Sequence, residues 1–128
     1  METKTDILII EDDPFMRDLV ALSLRDAGYR VCECTGQRAQ HLHETVSAKV
    51  IVVDLNEPRH SSMKTIDALR VRFPAALIVA ISGYFGAGAA TADAVIRQLG
   101  VDRALAKPFD CNDLVASVKA LLEPLSND

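Results

Sequence analysis

Apolar positions along this chain fall into two rhythms, short unbroken runs and longer stretches in which apolar residues return every three or four positions. The runs are Asp6-Ile7-Leu8-Ile9-Ile10, Lys49-Val50-Ile51-Val52-Val53-Asp54 and Ala76-Leu77-Ile78-Val79-Ala80-Ile81. Runs this short, rich in β-branched residues and lacking polar alternation, predict strands covered on both faces, the state of a parallel sheet flanked by helices. Two weaker strands are expected at Tyr29 to Thr35, where Val31, Cys32 and Cys34 lie among polar residues, and at Val101 to Ala106.

The stretches between them read as helices. Asp13 can cap a helix with Pro14 in its first turn, and Phe15, Met16, Leu19, Val20, Leu22 and Leu24 predict its buried stripe up to Gly28. A polar second helix is expected from Gly36 through about Ser47. Leu55 to Ser62 breaks the pattern before Met63, Ile66, Leu69, Val71 and Phe73 mark a third helix, which Pro74 closes. A fourth covers Ala90 to Leu99 with Gly100 as its cap, and Asp110 caps a fifth through Leu122, with Leu114, Val115, Val118, Leu121 and Leu122 inward. Five βα units without repeats or linkers predict an α/β fold with one five-stranded parallel sheet.

Composition narrows the function more than the fold. A chain of 128 residues fits a single domain, residues 1–128, and a net charge of -4 argues against sequence-independent nucleic-acid binding. The first residues lack the features of a secretory signal, and no apolar run approaches the roughly 20 residues of a membrane span. A cytoplasmic protein is therefore expected, with no nucleic acid and no membrane as partners. Cys32, Cys34 and Cys111 match no zinc or redox spacing and read as structural thiols; His41, His43 and His60 are assigned no role.

The chemistry lies where the strands end. Parallel strands present their C-terminal ends on one side of a sheet, so Glu11, Asp12, Asp54, Ser82 and Lys107 should converge there. Clustered carboxylates are hard oxygen ligands that suit Mg²⁺, which binds through one or two carboxylates, waters and a phosphate oxygen. Lys107 and Ser82 supply the charge and the hydrogen-bond donor that would hold a phosphoryl group on Asp54, the candidate nucleophile. Each of these residues alone has an ordinary explanation as a cap or a solvated charge, and Asp13 is left to the helix cap. Only the joint pattern is specific.

Ile7-Leu8-Ile9-Ile10-Glu11-Asp12-Asp13-Pro14, Val52-Val53-Asp54-Leu55-Asn56-Glu57-Pro58, Ala80-Ile81-Ser82-Gly83 and Leu105-Ala106-Lys107-Pro108-Phe109 together resemble the receiver domain of two-component response regulators. The resemblance spans nearly the whole chain in order. It implies a doubly wound, flavodoxin-like (βα)5 fold with strand order 2-1-3-4-5. It also implies that Glu11 and Asp12 form the acidic metal pair, that Asp54 accepts phosphate from a phosphohistidine, and that Ser82 and Lys107 contact the phosphoryl group. The backbone carbonyl of Asn56 becomes a further Mg²⁺ ligand, and the peptide before Pro108 is expected to be cis. Three positions depart from the family pattern: Glu57 replaces a methionine, Ser62 a glycine, and Ala104 the aromatic residue that normally rotates on activation. With Ala104 unable to rotate in that way, the glycine-rich segment Gly83 to Ala89 is the expected moving element.

The expected function is a single-domain response regulator, phosphorylated by a sensor histidine kinase or histidine phosphotransfer protein and read by an unidentified protein target. It would promote its own phosphoryl transfer without being a conventional enzyme. The rivals are a receiver-like binding module that works without phosphorylation, an aspartyl-phosphate phosphatase, for which Asn56 stands where a second acid would be needed, and a flavodoxin-like electron carrier. Glu11 and Asp12 disfavour the last, since they would repel a flavin phosphate after strand 1.

Overall fold

The computed structural model describes residues 5–40, 47–55, 59–83 and 89–123. Five parallel strands, β1 (Ile7–Ile10), β2 (Val31–Cys34), β3 (Val50–Asp54), β4 (Leu77–Ser82) and β5 (Arg103–Ala106), form one sheet in the order 2-1-3-4-5. The helices are α1 (Pro14–Asp26), α2 (Gly36–Ala39), α3 (Arg59–Arg72), α4 (Ala89–Leu99) and α5 (Cys111–Leu122). Both the fold class and the strand order agree with the sequence reading.

Alternation along the central strands divides the core in two. Ile7, Ile9, Val50, Val52, Val79 and Ile81 pack with Val20, Ala21 and Leu24 of α1 and Leu114 and Val118 of α5. Leu8, Ile10, Ile51, Val53, Ile78 and Ala80 face the other way, against Ala39 of α2, Ile66 and Leu69 of α3, Phe73 just beyond it, and Ile96 and Leu99 of α4. Each large apolar side chain removed from water in this way contributes about 1.5–3 kcal/mol before chain entropy is counted. With both faces covered, β3 brings its chemistry to the C-terminal edge of the sheet, where it ends on Asp54.

Helix ends follow from local chemistry. The Asp13 carboxylate caps α1 by accepting from Phe15 N at 3.0 Å, and Asp110 caps α5 by accepting from Asn112 N at 2.8 Å. Gly28 and Gly100 turn the chain out of α1 and α4 with φ of 99° and 70°, values that side-chain-bearing residues rarely adopt.

Three sequence expectations need correction. Helix α3 begins at Arg59, four residues before Met63, because its first turn is polar and leaves no apolar rhythm to read. The described part of α2 closes at Ala39, and Ser47 is not helical; residues 41–46 lie outside the described residues. The stripe assigned to the interior of α1 is in fact two stripes: Val20 and Leu24 are buried, whereas Phe15, Leu19 and Leu22 are 78%, 39% and 64% exposed. Met63 and Val71 of α3 likewise face solvent. Among the described residues, no helix is long and apolar enough to cross a membrane.

Candidate functional site

Register fixes the site before any side chain is considered. Asp54 pairs with Ile81 across β3 and β4, and Leu55 N then donates to Ile81 O at 2.7 Å, so the chain stays pinned just beyond the carboxylate. Ser82 pairs with Ala106, and Lys107 N donates to the Ser82 carbonyl at 3.1 Å, which sets Lys107 at the same edge. Glu11 follows β1 directly, its N–H donating to Cys34 O at 3.0 Å.

The side chains meet there. Lys107 Nζ lies 3.0 Å from Asp54 Oδ1 and 3.4 Å from Glu11 Oε1, with the Asp54 and Glu11 side chains each only 4% exposed. Ile9, Met16, Val20, Val52 and Ile81 line the space against the two carboxylates, so little on that side can solvate a charge. Two acids thus share one cation. Burial, reinforced by the neighbouring Asp54 carboxylate and only partly offset by Lys107, pushes the Glu11 carboxyl up to about 7. Burial alone would lower the Lys107 ammonium, but the Asp54 and Glu11 carboxylates outweigh it and hold it above its ordinary value.

Asp12 is placed differently. Its carboxylate is exposed and accepts from Gly36 N at 2.8 Å, at the start of α2, so the two consecutive acids have different partners. Among the described residues no three His, Cys, Asp or Glu side chains are gathered as a metal-binding group. The structure therefore brings Glu11, Asp54 and Lys107 together, sets the fully buried Ser82 beside them in register, and keeps Asp12 on Gly36. Asn56 and Glu57 lie outside the described residues, as do 84–88 of the glycine-rich segment and the side chains of His41, His43 and His60. Ala104 is half-buried opposite Ala80 on the face covered by α3 and α4, Ser62 is buried, and the Lys107–Pro108 peptide is cis. The three cysteines are free thiols.

The donor set fits a divalent cation. Glu11 Oε2 and both Asp54 carboxylate oxygens are buried and receive no hydrogen bond among the described residues, so the Lys107–Asp54 contact is an ion pair without hydrogen-bond alignment. Buried anionic oxygens left uncompensated are costly, and hard oxygens are what Mg²⁺ takes as ligands.

Arg17 is a residue that sequence reasoning did not single out. Its Nη1 donates to the Glu11 carbonyl at 2.9 Å from the second turn of α1. Nothing in the apolar rhythm marks it, because its partner is a main-chain atom in a turn.

The chain matches the family model of the response regulator receiver domain over residues 7–119. Among curated proteins it is 33% identical, over 91% of its length, to the DNA-binding dual master transcriptional regulator RpaA of Synechocystis sp., and spans 48% of that protein. It is 30% identical, over 93% of its length, to the photosynthetic apparatus regulatory protein RegA of Rhodobacter capsulatus, and spans 64% of it. A response regulator from Thermotoga maritima superposes with a TM-score of 0.76 at 19% identity, covering 93% of this chain and 98% of that one. A response regulator protein from Burkholderia pseudomallei, solved with a phosphorylated aspartic acid, calcium ion and citrate, gives 0.69 at 28% identity, covering 90% and 66%.

Proposed function

The chain belongs to the response regulator receiver domain family, and from that premise we propose that it is a phosphoacceptor of a two-component system. In this reading Asp54 takes a phosphoryl group from a phosphohistidine on a sensor histidine kinase or a histidine phosphotransfer protein. A new bond forms between an Asp54 carboxylate oxygen and phosphorus as the phosphorus–nitrogen bond to the donor imidazole breaks.

The observation that carries the reading is the state of Asp54. It is a strand-end carboxylate with a nearly buried side chain, both oxygens free of hydrogen bonds among the described residues and a lysine ammonium 3.0 Å away. Neutralised at one side but not tied down, it can attack. Lys107 would follow the charge onto the phosphoryl oxygens, and the Ser82 hydroxyl, held at the same edge by β4, would donate to one of them. Glu11 and Asp54 would hold Mg²⁺, with Asp12 leaving Gly36 to join them and the Asn56 carbonyl completing the protein ligands. The ion supplies positive charge beside the transferred oxygens. That the Burkholderia relative carries a phosphorylated aspartic acid and a calcium ion supports this assignment.

The exposed apolar stripe of Phe15, Leu19 and Leu22 starts beside the acidic turn and supports docking of the phosphodonor along α1. The phosphorylated chain would then signal in the cytoplasm through a protein target. Its negative net charge gives no support for contact with nucleic acid. It is a signalling module that assists its own transfer and hydrolysis rather than a conventional enzyme.

The test is incubation with Mg²⁺ and acetyl phosphate, read by intact mass. The wild-type chain gains one phosphoryl group and Asp54→Asn gains none. Stoichiometric labelling of Asp54→Asn overturns the assignment.

A further inference from the structure

Where β1 gives way to α1, the main chain of Glu11 is held at both its N–H and its carbonyl. The Glu11 N–H remains in the sheet, donating to Cys34 O at 3.0 Å, while the Glu11 carbonyl has left it and accepts from Arg17 Nη1 at 2.9 Å. Arg17 is itself anchored, its N–H donating to Asp13 O at 2.9 Å in the helix that Asp13 caps. We propose that Arg17 is a positioning residue for the acid pair, orienting the Glu11–Asp12 peptide so that Glu11 faces Asp54 while Asp12 stands ready at the rim. The proposal rests on the Mg²⁺-dependent reading of the site given above.

The physical case starts from the planarity of the peptide. Fixing the direction of the Glu11 carbonyl fixes the whole planar unit and, with the Glu11 N–H held in the sheet, restrains ψ of Glu11 and so the direction in which the chain enters Asp12. The outcome is visible on either side: the Glu11 side chain is 4% exposed beside Lys107, whereas the Asp12 carboxylate is exposed on Gly36 N.

The choice of partner matters as much as the bond. Arg17 stands beside three consecutive acids, Glu11, Asp12 and Asp13, yet among the described residues it forms no ion pair with any of them. A guanidinium that took one of these carboxylates in a forked pair would compete directly with a metal ion. Spent on a carbonyl instead, it steers the acids and leaves their oxygens available. The guanidinium is planar and always charged, so the bond persists across the working pH range, and a lysine could replace its charge but not its reach and rigidity.

The experiment is a calorimetric Mg²⁺ titration of wild type, Arg17→Met and Arg17→Lys, paired with thermal unfolding in EDTA and the ¹³C shift of the Glu11 carbonyl. Arg17→Met should weaken Mg²⁺ binding about 10–100-fold, the range for losing a residue that orients a metal ligand. Arg17→Lys should recover part of the affinity, and the Glu11 carbonyl shift should move in step, with the metal-free melting temperature changing by only a few degrees. Affinity within twofold of wild type in Arg17→Met overturns the role of Arg17 alone. Should Arg17→Met not fold, wild-type affinity in Arg17→Lys with a displaced carbonyl shift overturns it equally. Failure of the wild-type chain to bind Mg²⁺ overturns the reading of the site, and the positioning role with it.

Discussion

Lys107 Nζ lies 3.0 Å from Asp54 Oδ1 at the edge of the sheet, so the proposed nucleophile carries its own counter-charge before any ligand arrives. Glu11 shares that cation at 3.4 Å, and the two buried acids are held in balance by one partly exposed lysine. Stability and chemistry are therefore coupled at this point.

Removing the lysine should expose the imbalance. Lys107→Met is expected to destabilise the metal-free protein at pH 8 by about 1–3 kcal/mol, below the roughly 3–5 kcal/mol of a fully buried broken pair, because Glu11 can take up a proton. Mg²⁺ should recover much of the loss by replacing the missing charge. Denaturant unfolding with EDTA and with Mg²⁺ measures both; equal stability of variant and wild type in EDTA would refute the shared-cation account.

The raised Glu11 carboxyl gives a signed pH dependence. Folding moves it from 4.5 to about 7, so the folded protein keeps a proton that the unfolded chain releases between those values. Its contribution is complete below about 4.5 and is lost as pH rises through about 7. The metal-free melting temperature should thus show a component that falls from pH 5.5 to pH 8 and is missing in Glu11→Gln. Stabilisation by Mg²⁺ should run the other way, growing over the same interval, since the ion needs the deprotonated carboxylate. An identical metal-free slope in Glu11→Gln would show that another group is responsible.

The strands, and the meeting of Glu11, Asp54 and Lys107 at one sheet edge, were legible because both depend on a simple rule. A run as short and β-branched as Val50-Ile51-Val52-Val53 reads as a doubly covered strand, and the residue ending such a strand emerges at the sheet edge. What the sequence left open depends on geometry that periodicity does not encode. Met16, Val20 and Leu24 repeat with the same rhythm as Phe15, Leu19 and Leu22, and only the position of the sheet and α5 decides which stripe goes inside. The direction of Asp12 depends on a main-chain N–H from the next βα unit, and the role of Arg17 on a carbonyl in a turn.

The opposite edge of the sheet should respond separately. Asp6 accepts from Arg30 N at 2.9 Å and faces the Arg30 guanidinium at 3.4 Å and Lys49 at 3.7 Å. The Arg30 backbone N–H, more than burial opposes it, holds this carboxyl below its ordinary value. Its contribution is present above the unfolded value of 3.8 and is lost as pH falls through the lower folded value. Asp6→Ala should cost about 1–3 kcal/mol at pH 7, and the deficit should shrink toward pH 3. Mg²⁺ affinity should stay at the wild-type level, and a change in it would contradict the independence of the two edges.

The last prediction separates chemistry from recognition. Phe15 and Leu22 are 78% and 64% exposed, so replacing them with serine removes little buried surface and should leave thermal stability within about 0.5 kcal/mol of wild type. Neither belongs to the cluster of Asp54, Glu11 and Lys107, so labelling by acetyl phosphate should proceed at the wild-type rate. On the proposed function, a histidine kinase or phosphotransfer protein would instead dock to bring its phosphohistidine over Asp54, and the exposed apolar stripe along α1 is the surface proposed for it. Losing two apolar anchors of about 1–2 kcal/mol each should slow transfer from such a donor at least about tenfold, since 1.4 kcal/mol corresponds to one factor of ten. The comparison uses a donor that labels the wild-type chain, with transfer followed in Phe15→Ser/Leu22→Ser. Slowing with both donors would mean that the stripe supports the site itself, and unchanged transfer from the protein donor would move the docking surface elsewhere.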